Sequence, residues 1–555
     1  MSDETVRQGR ADASPPATRA SGAAGGVGAP ADRSNRYVLA VDLGTGGPKV
    51  GFVSFTGEVA WKDHVLVETR HGPGGAATQD AGEWWRVVCE TAKRGLAEGP
   101  VRGEQVQAVS ITGQWASTVP VDASGEPVGD CVMWMDTQGG PYSAKVVGGA
   151  VQGYGARALA TWVRHTGGVP AATGDDPVGH MLFLQHDRPD VARAARWYLE
   201  PVDYLSMRFT GIPAASHASM TGAWLTDNRR LDVLDYDDTL VRMAGIDRAK
   251  LPPLVPTGSI IGNVTAAVAA DLGISPDAAV VTGTPDLHSA VIGSGCVGDW
   301  EAHMTISTTS WISCPFDAKK TDVVRQMATV PGITNDRYLI ANNQDTAGRC
   351  FEWFRDNVAA SGAGDGAGVA APGYDRLCEL AAAVPAGSGD VIFTPWLTGE
   401  RSPIDDRNAR GGFHNVGLST TQAHLARAVL EGVAYNSRWL LHGVEKFAKR
   451  RLDPIRIIGG GAQADLWCQI MADVTDHTIE RVAEPLHGGL RGAAVFAAMG
   501  LGAVRRDEVR SLIPVDATFK PDPANRAVYD RLFAEFPGLY KAQKAMFARL
   551  NRAGR

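Results

Sequence analysis

Residues 38–55, VLAVDLGTGGPKVGFVSF, decide how this chain is read. An apolar run closes on Asp42. Gly44, Gly46 and Gly47 then surround Thr45, and Lys49 opens a second apolar run. The local pattern is strand, turn, strand. One reading is a decorated β-hairpin turn. The other is a phosphate cradle, because glycines let several backbone N–H groups converge on an anion. Thr45 adds a hydroxyl donor, Lys49 a mobile positive charge, and Asp42 a carboxylate suited to Mg²⁺ held through water. A Walker A loop is excluded, since no lysine in the chain follows a glycine.

The pattern returns at AHMTISTTSWISCPF (302–316), where Ser307, Thr308 and Thr309 form the turn. Two such hairpins suggest two related halves facing one ligand. In AAVVTGTPDLHSAVIGSG (278–295) a buried strand leads through a Gly/Pro loop to Asp286 and a helix. That is the carboxyl end of a strand, where α/β proteins place chemistry; an ordinary helix N-cap is the alternative. In IRIIGGGAQADLWCQIMADVTDHTIERV (455–482) a strand meets Gly459, Gly460, Gly461 and Ala462 before a helix. Such a turn can approach a nucleotide. Gly459, Gly461, Ala464 and the later Glu480 also fit a dinucleotide fingerprint, but no second mononucleotide half follows.

Polar and aromatic groups gather in SITGQWAST (110–118) and CVMWMDTQGG (131–140). Gln114, Trp115 and Asp136 suit a polyol; a buried tryptophan beside a satisfied glutamine is the plainer meaning. PWLTGERSPIDDRNARGGF (395–413) reads as a charged loop near an interdomain cleft, shaped by a Glu400–Arg401 ion pair.

At 555 residues the chain is too long for one ordinary core, so two or more large domains are expected. Short apolar strands alternating with helical patterns indicate α/β architecture. A net charge of −7 gives no basic footprint for nucleic acid. The seven cysteines are scattered without a CxxC pair, which points to a reducing cytoplasm rather than a disulfide or zinc framework. No run reaches the roughly 18 apolar residues of a membrane span, and no signal-peptide core opens the chain. Residues 1–35 are rich in Ala, Gly, Ser and Pro and are expected to be disordered. Residues 360–373 read as a surface loop. In LSTTQAHLARAVLEGVAYNSRWLLHGVEKF, Ser419 and Gln422 have capping-box spacing. Ala426, Val429, Leu430, Val433, Ser437, Leu440, Leu441 and Val444 form one helical stripe, expected to face the second domain's sheet.

Taken in order, these motifs resemble the FGGY carbohydrate kinases of the actin-like ATPase superfamily, nearest the xylulokinase branch. The resemblance spans about residues 37–505: DLGTGGPKV and ISTTSW as phosphate hairpins, GQWAS as a sugar stretch, GTPDLHSA with the catalytic Asp, then LTGERSP and GGGAQADLWCQIMAD. It implies two actin-like (ribonuclease H-like) domains about a cleft. These are an N-terminal domain at 36–293 for sugar and phosphate and a C-terminal domain at 294–505 for nucleotide. A helical extension at 506–555 would follow.

The implied reaction moves the γ-phosphoryl group of ATP to a primary hydroxyl of a ketose or polyol. Asp286 would be the base. Asp42, with Asp286, would orient Mg²⁺. Gly44, Thr45, Gly46, Gly47, Lys49, Ser307, Thr308 and Thr309 would hold phosphates, and Gly459, Gly460, Gly461 and Ala462 would lie against the nucleotide. Gln114, Trp115, Asp136 and Asp286 would meet the sugar. The implied partners are a small sugar or polyol, without nucleic acid or membrane; a homodimer is left open.

The departures fall in the sugar pocket. Trp115 and Ala116 replace Met-His, Leu287 replaces Asn, and Gln138 stands where Arg is expected. Pro48 before Lys49 is also unusual. Two rivals stand beside this reading: a catalytically weak sugar-sensing relative and a dinucleotide oxidoreductase.

Overall fold

The computed structural model describes residues 33–151, 153–360 and 371–551. Most of the expected disordered tail and of the expected surface loop at 360–373 lies outside the described residues. Arg33 and Asn35, assigned to that tail, lie inside the described part, and Arg33 pairs with Glu508 at 3.3 Å.

The first sheet contains β1 (Tyr37–Gly44), β2 (Gly47–Ser54), β3 (Val59–His64), β4 (Val106–Gly113), β5 (Ile260–Asn263) and β6 (Ala279–Val281). Its order is β5-β6-β4-β1-β2-β3. β1, β4 and β6 run parallel, the β1–β2–β3 meander is antiparallel, and β5 closes the far edge antiparallel to β6. The second sheet contains β7 (Ala302–Ile306), β8 (Ser310–Ser313), β9 (Ile455–Ile458), β10 (Ile479–Val482) and β11 (Val515–Phe519), in the order β8-β7-β9-β10-β11. It repeats the same plan: a hairpin, two further parallel strands, then an antiparallel edge. The parallel strands are buried and mostly apolar (VLAV, AVV, and IRII apart from Arg456), as expected of strands covered on both faces.

Helices supply that cover. α1 (Ala81–Glu98) and α2 (Pro201–Thr210) pack Trp84, Val88, Val202 and Leu205 on one face of the first sheet. On the other face lie α3 (Asp286–Gly293) and a helix from the second half. In the second half α4 (Gln422–Ala448) and α5 (Asp465–Thr475) pack together beside the sheet. The whole predicted stripe of α4 is buried, and so are Arg427, Glu431 and Arg438, because neighbouring helices enclose it on several sides. Its cap is Thr421 with His424, not Ser419 with Gln422. Residues 417–420 still turn, with Gly417 N–H donating to Thr420 Oγ1, so the helix starts later.

α6 (Gly488–Gly500), GGLRGAAVFAAMG, crosses back to cover β1 and β4 beside α3. Its glycines permit the crossing: a Cβ on Gly492 would collide with the Ser289 carbonyl. A sequence boundary near 294 therefore does not separate the two halves in space. The extension at 506–555 also differs from the helical expectation. VDATF alternates in burial as a strand does and adds β11 to the second sheet. α7 (Arg526–Leu550) then sends Tyr529, Leu532, Phe536, Tyr540 and Phe547 into the second core.

One buried network joins α7 to α4. Glu431, fully enclosed, accepts from Arg427 Nε at 2.7 Å, Ser388 Oγ at 2.6 Å and Tyr529 OH at 2.9 Å. Removing one partner of a buried ion pair strands the other. Glu431→Leu should therefore cost about 3 kcal/mol or more, against about 1 kcal/mol for Tyr529→Phe. Thermal unfolding of both variants checks this ranking.

Candidate active site

Strand register brings the chemistry together. Asp42 and Leu43 stand beside Thr112 and Gly113, which in turn pair with Thr284 and Pro285. Three neighbouring parallel segments thus end at one level. Beyond them the chain continues into the first hairpin turn, into Gln114 and Trp115, and into Asp286.

The first turn is a two-residue hairpin, Gly44 opposite Gly47. Gly47 has φ +124°, and a Cβ there would collide with the Val65 carbonyl, so glycine is required. The turn is braced from one side. Gln79 Nε2 donates to the Thr45 carbonyl at 2.7 Å, and the Trp134 indole N–H donates to Thr45 Oγ1 at 3.1 Å. The Trp84 indole N–H holds Gln79 in place, donating to its side-chain Oε1 at 3.0 Å. Gly46, at the tip, is exposed.

Asp42 accepts from Lys49 Nζ at 3.4 Å. α6 begins against it: a Cβ on Gly489 would strike the Asp42 carboxylate. The amino end of a helix favours a negative charge there. Asp286 is the first residue of α3, and Pro285 occupies the cap position, so the N-cap alternative does not describe it. Its Oδ1 accepts the Leu287 N–H at 2.8 Å. Burial, reinforced by the Asp42 charge, pushes the Asp286 carboxyl up to about 7. A carboxyl poised there can exchange a proton near neutral pH.

The second hairpin turn, Ser307–Thr309, is also open on one side. It is braced behind by Gly348 N–H to the Ser307 carbonyl at 2.7 Å and Ala347 N–H to the Thr308 carbonyl at 3.0 Å. The glycine turn abuts it. Gly459 has φ +96°, and a Cβ there would collide with the Ile306 carbonyl. Gly460 is exposed near the Leu486 side chain, whereas Gly461 and Ala462 are buried, Gly461 against Ile306 and Trp467. Glu480 pairs with Arg456 at 3.2 Å and Arg510 at 3.6 Å. Those pairs occupy the acid that the dinucleotide fingerprint needs for a ribose.

On the sugar side, Gln114 is 5% exposed, and among the described residues neither polar atom of its side-chain amide has a partner. Trp115 is half-exposed beside it. Asp136 departs from its expected role. It has no exposed surface, and its oxygens accept the N–H groups of Ala77 and Gln138, each at 2.8 Å. It shapes the loop rather than lining the pocket. The Glu400–Arg401 pair is corrected as well. Arg401 pairs with Asp345 at 3.1 Å. Glu400 is buried, accepting from the Asn436 amide at 2.6 Å and the Asp345 N–H at 3.0 Å. Burial, with Asp345 beside it, pushes the Glu400 carboxyl up to about 8.

Sequence reasoning missed Gln79, Trp134 and Glu200, which brace the site from behind. Trp134 lies within a stretch already singled out, but nothing local shows that it reaches Thr45.

The profile of the FGGY family of carbohydrate kinases, N-terminal domain, matches residues 37–293, and that of the C-terminal domain matches 293–501. The chain belongs to the FGGY family of carbohydrate kinases. This FGGY kinase is 27% identical to a xylulose kinase of Staphylococcus epidermidis, over 92% of this chain and 98% of that protein. It is 25% identical to a gluconokinase of Bacillus subtilis, over 84% of this chain and 88% of that one. Its fold matches the crystal structure of a gluconate kinase from Lactobacillus acidophilus with a TM-score of 0.80, at 22% identity, covering 93% and 99% of the two chains. The protein is thus a sugar kinase built from two actin-like domains, and the paired sheets are their shared plan. Among the described residues no helix is long and apolar enough to cross a membrane.

Proposed function

We propose that this FGGY kinase transfers the γ-phosphoryl group of ATP to a primary hydroxyl of a ketose or polyol, with Asp286 as general base. The observation that carries this is the Asp286 carboxyl, raised to about 7, at a shared strand end beside Asp42 and the unpartnered Gln114 amide. Phosphoryl transfer is mostly positioning and charge neutralisation. Asp286 takes the acceptor's proton as its oxygen attacks. Gly44–Gly47 and Ser307–Thr309 offer N–H and hydroxyl donors to the phosphates, and Lys49 offers charge. Gly459 and Gly460 present bare backbone to the nucleotide, while Gly461 and Ala462 hold that backbone in place from beneath. The first half carries sugar and phosphate, the second the nucleotide.

Asp42 and Asp286 make a hard-oxygen donor pair that fits Mg²⁺. Gly489, lacking a Cβ, leaves the Asp42 carboxylate room. Bound there, the ion would neutralise phosphate charge. The assembled Asp42, Lys49 and Asp286 speak against a sensing-only relative. Seven cysteines without a disulfide fit a reducing cytoplasm. A coupled ADP-release assay over pentuloses, hexuloses, polyols and aldonates tests the reading.

The relatives named for xylulose and gluconate leave the acceptor to be argued from the pocket. Trp115, Ala116 and the buried Leu287 offer no hydrogen bond from their side chains apart from the indole N–H. Each lost buried hydrogen bond should weaken transition-state binding by about 1 kcal/mol. D-Xylulose should therefore not give the highest kcat/KM on the panel. A maximum at D-xylulose would overturn this substrate assignment and leave the kinase assignment standing.

The base must be ionised to work. In free enzyme kcat/KM should rise with pH through about 7, where Asp286 loses its proton. A profile flat from pH 5.5 to 8 would contradict this role.

A further inference from the structure

A chain of hydrogen bonds that the phosphoryl-transfer reading does not use links the acceptor loop to the first phosphate hairpin. Ser117 N–H donates to Glu200 Oε2 at 3.2 Å. Trp134 N–H donates to Ser117 Oγ at 2.9 Å, and the Trp134 indole N–H donates to Thr45 Oγ1 at 3.1 Å. Glu200 is 2% exposed and Ser117 1%, so water does not compete for the bond between them.

The loop between Gln114 and Ser117 needs such a hold. Ala116 has φ +60°, a left-handed backbone that an alanine adopts only at a cost. Its Cβ lies against Gly222, where a second Cβ would stand only 2.8 Å away. Glu200 also has chemistry to spare. Its Oε1, the Tyr198 hydroxyl and His180 Nε2 are buried without hydrogen-bond partners among the described residues. A cavity of about 10 Å³, lined in part by Ser117, Thr118, Tyr198 and Glu200, lies beside them. That is room for one water.

We propose that Glu200, Ser117 and Trp134 form a positioning relay that sets Gln114 and Trp115 against the phosphate hairpin, coupling acceptor recognition to phosphate placement. None of the three is assigned to the reacting atoms; each acts through the loop or the turn it holds. The proposal rests on the kinase reading above. It also predicts which replacement is tolerated. Burial raises the Glu200 carboxyl well above its ordinary range, and glutamine keeps its length and the oxygen that accepts the Ser117 N–H.

The test measures KM for acceptor and for ATP, kcat and Tm in Glu200→Leu, Glu200→Gln, Trp134→Phe and the Glu200→Leu/Trp134→Phe double variant. The relay predicts that Glu200→Leu raises acceptor KM about tenfold while ATP KM moves less than about twofold, and that Glu200→Gln restores it. Trp134→Phe keeps an aromatic ring and loses the indole N–H. It should lower acceptor kcat/KM at unchanged Tm, and less than additively with Glu200→Leu. If Glu200→Leu does not fold, Trp134→Phe alone decides. Unchanged acceptor kcat/KM in Trp134→Phe overturns the relay. So does a parallel rise of both KM values that glutamine fails to rescue, which would mark a merely structural role. Wild-type ADP release that depends on acceptor separates the two readings. With it present and the variants unmoved, only the relay fails; with it absent across the panel, the kinase reading fails and takes the relay with it.

Discussion

Asp286→Asn should lower kcat by at least about 100-fold while leaving nucleotide affinity close to wild type. The amide has the same shape and keeps the oxygen that accepts the Leu287 N–H, but it cannot take the acceptor's proton. The variant should also be more stable than wild type at pH 8. The folded carboxyl sits near 7 against an ordinary 3.8, so folding disfavours its ionised form. Below about pH 4 the group is protonated in both states and the variants should match. As pH rises toward about 7 the wild type loses stability relative to the amide, and above that the gap is constant. A single set of melts at pH 4, 6 and 8 beside the kinetics reads both effects. Near-normal kcat in a well-folded Asp286→Asn variant would remove Asp286 from the chemistry.

Truncation after Arg505 should abolish folding. The missing segment carries β11, whose ladder closes the edge of β10. It also carries α7, with five buried side chains: Tyr529, Leu532, Phe536, Tyr540 and Phe547. Burying each contributes about 2 kcal/mol, so their loss of roughly 10 kcal/mol is the size of a whole domain's stability. The Glu431–Arg427 pair would lose the Tyr529 hydroxyl as well. Soluble expression and Tm check this. A truncated chain that is soluble, with a Tm close to full length, would show that the second domain is complete without the segment.

The parts of this kinase that were legible in sequence are those whose signal is local. Both hairpins announce themselves by an apolar run, a glycine- or threonine-rich turn and a second apolar run. Asp286 is legible because a strand end and a helix start lie within a few residues of it. The stripe on α4 follows from helical period alone.

What stayed hidden depends on distant partners. Asp136 looks like a free acid near a strand end, but its oxygens are spent on Ala77 and Gln138. Arg401 has an adjacent glutamate in sequence and chooses Asp345 instead. Trp134 reaches Thr45 across 89 positions. β11 was readable in the alternation of VDATF, yet its partner strand lies more than thirty residues earlier, and the family resemblance had ended before it. Nothing in α6 itself says that a segment of the second half covers the first sheet; its apolar residues run round the helix without naming a partner.

The central claim is that one acceptor hydroxyl, activated at Asp286, receives the γ-phosphoryl group. The most direct measurement is phosphorus NMR of reactions containing enzyme, Mg-ATP and the best acceptor of the panel, with Asp286→Asn run in parallel. The account predicts equimolar ADP and a phosphate monoester of the acceptor, formed by wild type and not by the variant. ADP with free inorganic phosphate in place of the monoester, or a monoester made equally well by the variant, would contradict it.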